Sequence, residues 1–532
     1  MPLSSFTFSH PVSPEYRRAI AQPSFTLHLP VSPAHPIITS SSVPCFSESL
    51  TEIPHRRTSF ALYSVTAVDW CNIGQVTVDI LPGDALLEIF DWYLIDSDVS
   101  FYKAEAWQTL VHVCRKWRNV VFASPRRLKL RLVCTDDKPV GKMLDIWPPL
   151  PIVIWGKNTK MGEDNILAAL THNVRVCEIA LNWVPSSLWE KVAAATQEPF
   201  PALTRLDFHT TDEVPIVSDS FLGGSAPNLR HLKMSCVPFP GLPKLLLSAT
   251  HLVTLRLFNI PHSGYISPEA MATTLSALTR LEKFELRFQS PRSCPDRGRR
   301  HPPPPTRSLL LALAEFNFKG VIEYLEDLVA WIDAPQLGRF EITFFPQLIF
   351  HTLRLAQFIG RTPNFMAPDE AHVMFYGFKA TLILPQTYGD LELEIPCRQS
   401  DWQLSMLAQV CSSSLYLISS LKYLYIHEYE SFRPCWQDDV ENVQWLELLR
   451  PFTTVKALYL SQNITTRVMP ALEELVGERA TEVLPALQSL FLEDLHLSGP
   501  AQEAIGKFFA ARQLSNHHVV VSRWDRRPML WE

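Results

Sequence analysis

Glycine is scarce in this chain: 18 of 532 residues, about half the usual share of ~7%. Loops that cradle phosphate need close backbone approach and therefore glycine. Neither G-x-G-x-x-G nor G-x-x-x-x-G-K-S/T occurs, so a nucleotide-binding fold is not expected. Long apolar runs are missing too. The longest, such as Leu309–Leu313 and Ala380–Leu384, fall far short of the ~18 residues a membrane span requires. Positive charge is not in excess: the net charge is -6, which argues against a nucleic-acid partner held by phosphate contacts. The ten cysteines are scattered without a C-x-x-C pair. That suits single buried thiols in a reducing compartment better than a disulfide frame or a zinc site. No basic stretch followed by an apolar stretch opens the chain. Together these point to an intracellular protein, cytoplasmic or nuclear, with no membrane partner.

Catalytic signatures are equally thin. G-x-S-x-G, H-E-x-x-H and the kinase set are absent. Asp136-Asp137, Asp438-Asp439 and Glu473-Glu474 are adjacent carboxylates. Sequence neighbours do not face one point on a helix, so these read as solvated surface. His517-His518 would need distant partners to hold a metal. No catalytic residue, metal ligand or cofactor follows, and an enzyme is not expected.

What is present is a globular composition, 47% hydrophobic and 19% charged. Residues 1–54 hold nine prolines and eleven serines, and a disordered tail is expected over 1–75. Order is expected from Val76. Leu86, Ile89, Phe90, Tyr93 and Leu94 have the spacing of one helix face, with Pro82 at its entry and Asp84 in its first turn. A second helix is expected to carry Trp107, Leu110, Val111, Cys114, Trp117 and Val121 on one side, with Ser124-Pro125 ending it. These define a small helical domain over 76–130, followed by a connector over 131–170.

From about residue 170 a frame of the form L-x-x-L-x-L, read loosely, recurs nine times. It begins at Val176, Leu203, Leu229, Leu252, Leu281, Leu337, Leu421, Val455 and Leu487, mostly at intervals of 23 to 34 residues, with one gap of 56 and one of 84. Each frame ends in alternating residues, the mark of a strand with one buried face. Helix-like runs precede most frames, as in Leu325, Leu328, Val329 and Ile332 before Leu337. One helix plus one strand per unit resembles the leucine-rich repeat, here degenerate because the frame's asparagine position is mostly filled otherwise. The fold expected is α/β: a small helical domain followed by an irregular repeat solenoid, a horseshoe, over 171–525. A basic, proline-rich loop at 290–307 interrupts it, and a hairpin is expected around Tyr388-Gly389-Asp390.

The segment VDILPGDALLEIFDWYL, followed by LVHVCRKWRNVVFASPRRL, resembles an F-box: an LP start, an IF pair, then V-C-R-K-W. With the repeats and the segment Trp402–Cys411, the layout resembles the large F-box families of mushroom-forming fungi. The resemblance implies a substrate-recruiting subunit of an SCF-type cullin ubiquitin ligase. It implies that Leu81, Pro82, Leu86, Ile89, Phe90, Leu110, Val113, Cys114, Trp117 and Arg118 meet the ligase adaptor subunit. A target protein would then lie on the concave x positions of the frames: Arg205, Asp207, Arg256, Glu282, Glu285, Arg339, Glu341, Tyr423 and Tyr425. A repeat scaffold outside any ligase is the first alternative, and a hydrolase assembled from distant residues is the second.

Overall fold

The computed structural model describes residues 81–95, 106–135, 140–157, 162–293, 306–346, 352–366, 368–386, 389–412, 416–429, 434, 436, 442–493 and 499–525. All fall in one compact unit, Thr77–Glu532. The Ser/Pro-rich tail expected at 1–75 and most of the 290–307 loop lie outside the described residues.

In chain order the strands are β1 (Leu132–Thr135), β2 (Ile152–Lys157), β3 (Val176–Val184), β4 (Arg205–Thr210), β5 (His231–Ser235), β6 (Thr254–Ile260), β7 (Lys283–Phe288), β8 (Ser308–Leu309) and β9 (Glu315–Gly320). They continue as β10 (Ile332–Asp333), β11 (Arg339–Phe344), β12 (Glu370–Phe375), β13 (Lys379–Gln386), β14 (Gly389–Pro396), β15 (Tyr423–Glu428), β16 (Ala457–Leu460), β17 (Ser489–Leu492) and β18 (Val520–Arg523). Sixteen form one sheet in the order β1-β2-β3-β4-β5-β6-β7-β9-β11-β14-β13-β12-β15-β16-β17-β18, and β8 pairs with β10 apart from it.

All nine frames fall on strands of this sheet: β3 to β7, β11, and β15 to β17. The first residue of each lies just before its strand or opens it, and is buried. The alternating residues that follow, such as Leu206 and Phe208, join one core with the intervening helices. Phe284, Phe316 and Phe340 stack within that core across β7, β9 and β11, ring centroids 5.0 Å apart at each step. The x positions point to the opposite, open face. Three frames end alike. Trp183, Cys236 and Asn259 each stand seven residues after the frame's first residue, with φ of 61°, 62° and 49°. In β3 and β6 this left-handed residue makes a bulge, after which Val184 and Ile260 pair again with the next strand; Cys236 directly follows β5.

The structure adds strands that the periodicity does not show. The gap of 56 holds β9, whose frame is Leu313-x-x-Phe316-x-Phe318. The uninterrupted apolar run before it hides its phase. Residues 131–170, expected as a connector, instead carry β1 and β2; β1 pairs in parallel with β2, and β2 in parallel with β3. Their short apolar runs lack the alternation of a half-buried strand. The gap of 84 holds β12 to β14. Here β13 pairs antiparallel with both β12 and β14, while β12 and β14 join β15 and β11 in parallel. The hairpin around Tyr388-Gly389-Asp390 is therefore the joint between two parallel arrays, its residues 387 and 388 lying outside the described set.

Where β14 enters the sheet, the Asp390 amide donates to the Gly338 carbonyl at 2.8 Å. A side chain at Gly389 would collide with that same carbonyl. Gly389→Ala is expected to destabilise the fold by about 2 kcal/mol, as overpacking does, and Phe316→Ala by about 4 kcal/mol through the cavity it leaves in the stacked core. Urea denaturation followed by circular dichroism reads both; a midpoint unchanged in either variant would contradict this packing.

Candidate protein-docking site

Three helices open the described chain: α1 (Gly83–Ile95), α2 (Ala106–Val113) and α3 (Arg115–Ala123). Pro82 accepts the first helical bond, its carbonyl 3.1 Å from the Leu86 amide. The single second helix expected from the pattern is broken at Cys114. That residue is extended, with φ −156° and ψ 171°, and its Sγ accepts from the Trp117 amide at 3.4 Å. Cys114 thus caps α3 and redirects the chain. Arg118 Nε donates to the Val111 carbonyl at 3.0 Å and satisfies the end of α2, while Lys116 Nζ donates to the Leu81 carbonyl at 2.8 Å and holds the entry to α1.

The helices enclose their own core: Leu86, Phe90, Trp107, Leu110, Val111 and Val121, continued by Leu128, Leu130, Leu132 and Leu150. Because Leu132 belongs to β1, this core seats the helices on the first strand of the sheet. Trp107 Nε1 adds a hydrogen bond to the Arg131 carbonyl at 2.9 Å.

The residues implied by the resemblance divide accordingly. Leu86, Phe90 and Leu110 are interior, which corrects their assignment to a contact surface: their apolar area is already spent on helix packing. Trp117 is half-buried with its ring 4.8 Å from Phe90, and Leu81 and Cys114 are half-buried. Pro82 and Arg118 are exposed, as are Ile89 and Val113. The most exposed aromatic of α1 is one the spacing did not select: Trp92, at 75%, with Tyr93 beside it at 49%. Ile89, Trp92 and Tyr93 stand at i, i+3 and i+4 and form one apolar stripe on the solvent side of α1. Ile89 and Tyr93 also complete the spacing of the buried face, so periodicity alone does not separate this stripe from it.

The open face of the sheet gathers the predicted frame residues by register. Asp207, Arg256, Glu285 and Glu341 lie in one row, with Lys233 and Asn317 between them. Arg205 and Arg339 lie in the neighbouring row, and Glu282 precedes β7, exposed. These charges satisfy one another. Lys233 is 3.2 Å from Asp207, Arg256 is 3.7 Å and Arg287 2.6 Å from Glu285, and Arg339 is 2.5 Å from Glu341. A depression of about 220 Å³ lies among them. Burial raises the Glu285 carboxyl above its usual range, against the pull of Arg287 and Arg256.

Past the hairpin the face changes character. His372, Tyr425, Tyr459 and Phe491 are in register on β12, β15, β16 and β17, and their rings stack at 4.5, 4.2 and 4.4 Å. Trp524, just after β18, lies 5.9 Å from Tyr425 and 5.7 Å from Tyr459. Burial raises the Tyr425 phenol above its usual range. Tyr423 is exposed at the start of β15. Of this group the frame positions gave Tyr423 and Tyr425 only. Tyr459 and Phe491 occupy the same x position in the next two frames, whereas His372 and Trp524 belong to no frame.

Among the described residues no three His, Cys, Asp or Glu are grouped to hold a metal, and no helix is long and apolar enough to cross a membrane. Burial pushes the Cys177 thiol to about 11 and the Cys411 thiol to about 12, so neither is a thiolate at neutral pH.

No protein-family model matches the chain, and no curated protein matches it. Among solved structures the chain is similar to one titled as the crystal structure of the Rad7 and Elc1 complex in yeast, at 12% identity over 79% of this chain and 91% of that one, with a TM-score of 0.28.

Proposed function

We propose that the protein is a substrate-recruiting receptor of F-box type. Its helical unit docks on the adaptor of an SCF-type cullin ubiquitin ligase inside the cell, and its repeat array holds a target protein. It performs no bond chemistry itself. Holding the target near the ubiquitin-loaded enzyme raises effective concentration. The segment Trp402–Cys411 aligns the reading with the F-box families of mushroom-forming fungi.

One observation carries the proposal. The helical unit that bears the LP, IF and V-C-R-K-W string completes its core without Ile89, Trp92, Tyr93 or Val113, and leaves all four in solvent. An exposed apolar stripe such as Ile89, Trp92 and Tyr93 on one helix face is costly in a free monomer and marks an interface. Large aromatics are also the side chains that most often dominate binding energy.

Co-purification with the adaptor is the test. Wild type is expected to bind. Ile89→Asp combined with Trp92→Asp is expected to weaken binding at least about tenfold, the scale of a lost interface anchor, while stability stays within about 0.5 kcal/mol because both sites are exposed. Phe90→Ala is expected to cost about 4 kcal/mol of stability instead, since that ring is interior. Failure of the folded wild type to co-purify would sink the ligase reading and leave a repeat scaffold.

A further inference from the structure

The central row of the open face changes chemistry at the hairpin. From β11 to β17 it runs Glu341, Glu392, Ile383, His372, Tyr425, Tyr459, Phe491. Two glutamates thus stand opposite each other on adjacent strands, where like charges repel. Glu341 is offset by Arg339. Glu392 has no cation within ion-pair distance among the described residues. Burial first, and Glu341 second, raise its carboxyl above its usual range. Glu370, its side chain 41% exposed in the next row, is in register with Tyr423 and 3.7 Å from His372 Nε2. On the other side Lys379 is already held by Glu394 at 2.5 Å. Strands β12 to β14 therefore carry Glu370, Asp390, Glu392 and Glu394 with Lys379 as their one lysine, while Arg339 of β11 stands in register opposite Asp390.

A second feature lies in the same place. Thr381, 1% exposed, sits in register between Glu394 and Met374, and its hydroxyl has no partner among the described residues. His372 Nδ1 likewise has none. Both atoms are buried, the Thr381 hydroxyl in the row beside Glu394 and His372 Nδ1 in the row of Ile383 and Glu392. The aromatic ladder supplies the remaining element. Tyr425 covers one face of the His372 ring, at an interplanar angle of 7°, and the other face is turned along the row toward Ile383 and Glu392. Strands lie about 4.8 Å apart, so Glu392 and His372 are separated by roughly 10 Å with Ile383 as the floor.

We propose that this stretch docks an extended target segment through an arginine side chain. The guanidinium lodges over Ile383, its plane against His372 and its N–H groups toward Glu392, with Glu370 at its flank. A planar cation fits both a ring and a carboxylate; an ammonium fits only the charge. The charged row from Asp207 to Glu341 does not compete for it, because its carboxylates are already paired. The inference rests on the receptor reading only in assigning the segment to the recruited protein.

The test uses the full chain and a short fluorescein-labelled glycine–serine peptide carrying two arginines, with lysine and glutamate versions, read by fluorescence anisotropy. The arginine peptide is expected to bind saturably and more weakly as salt rises. The lysine peptide should bind about threefold or more weaker, and the glutamate peptide should not bind. Glu392→Gln and Glu370→Gln should each weaken the arginine peptide about fivefold, a loss of about 1 kcal/mol by the affinity relation. Glu285→Gln should change nothing, and the Ile89→Asp, Trp92→Asp double variant should bind like wild type. That last arm separates this site from adaptor docking. No saturable binding by wild type, equal binding of the glutamate peptide, or full binding by both Gln variants with unchanged circular dichroism would overturn the proposal.

Discussion

In-register pairing of parallel strands is the constraint on which the rest of this molecule depends. Side chains alternate faces every residue along a strand, so a slip of one position would move every apolar residue to solvent. The register Leu206 to Leu232 to Leu255 to Phe284 holds a continuous core on the helix side. The same register forces the intervening residues into rows on the open face. Ion pairs in one stretch and a ring stack in another are both consequences of that alignment. Neither stretch is a pocket cut into the fold; each is the reverse side of the core.

The antiparallel strand β13 is the exception that diversifies the surface. It lets the chain pass between two parallel arrays without ending the sheet. It also places residues from no repeat frame, such as Thr381 and Ile383, into the rows. The change from paired charge to unpaired acid and aromatic ring occurs at this joint. At the amino-terminal end, the core of the helical unit runs on into β1 through Leu132. Its core is satisfied internally by Phe90, Leu110 and Trp107, which leaves Ile89, Trp92 and Tyr93 for other surfaces.

Much of the repeat array was legible because strand periodicity is local. Nine frames marked nine strands. What periodicity missed has clear causes. Apolar runs with no alternation concealed β1, β2 and β9. In the helical unit the spacing of Leu86, Ile89, Phe90 and Tyr93 marked a helix. A stripe of that width, however, cannot say which of its edges is covered. Cys114 looked like one more apolar position, yet its thiol ends one helix and starts the next.

By itself, then, the sequence determined the alternation of helix and strand, the inward set of each frame, the acid and ring identities at the x positions, and the scarcity of glycine that disfavours phosphate-binding loops. Those properties depend on residues within a few positions of one another. Only the tertiary structure decided which strands are neighbours. His372 meets Tyr425 across 53 residues of chain. Glu392 meets Glu341 only because β14 returns beside β11. Partners of this kind are set by strand order, which depends on how the whole core closes and leaves no trace in local pattern.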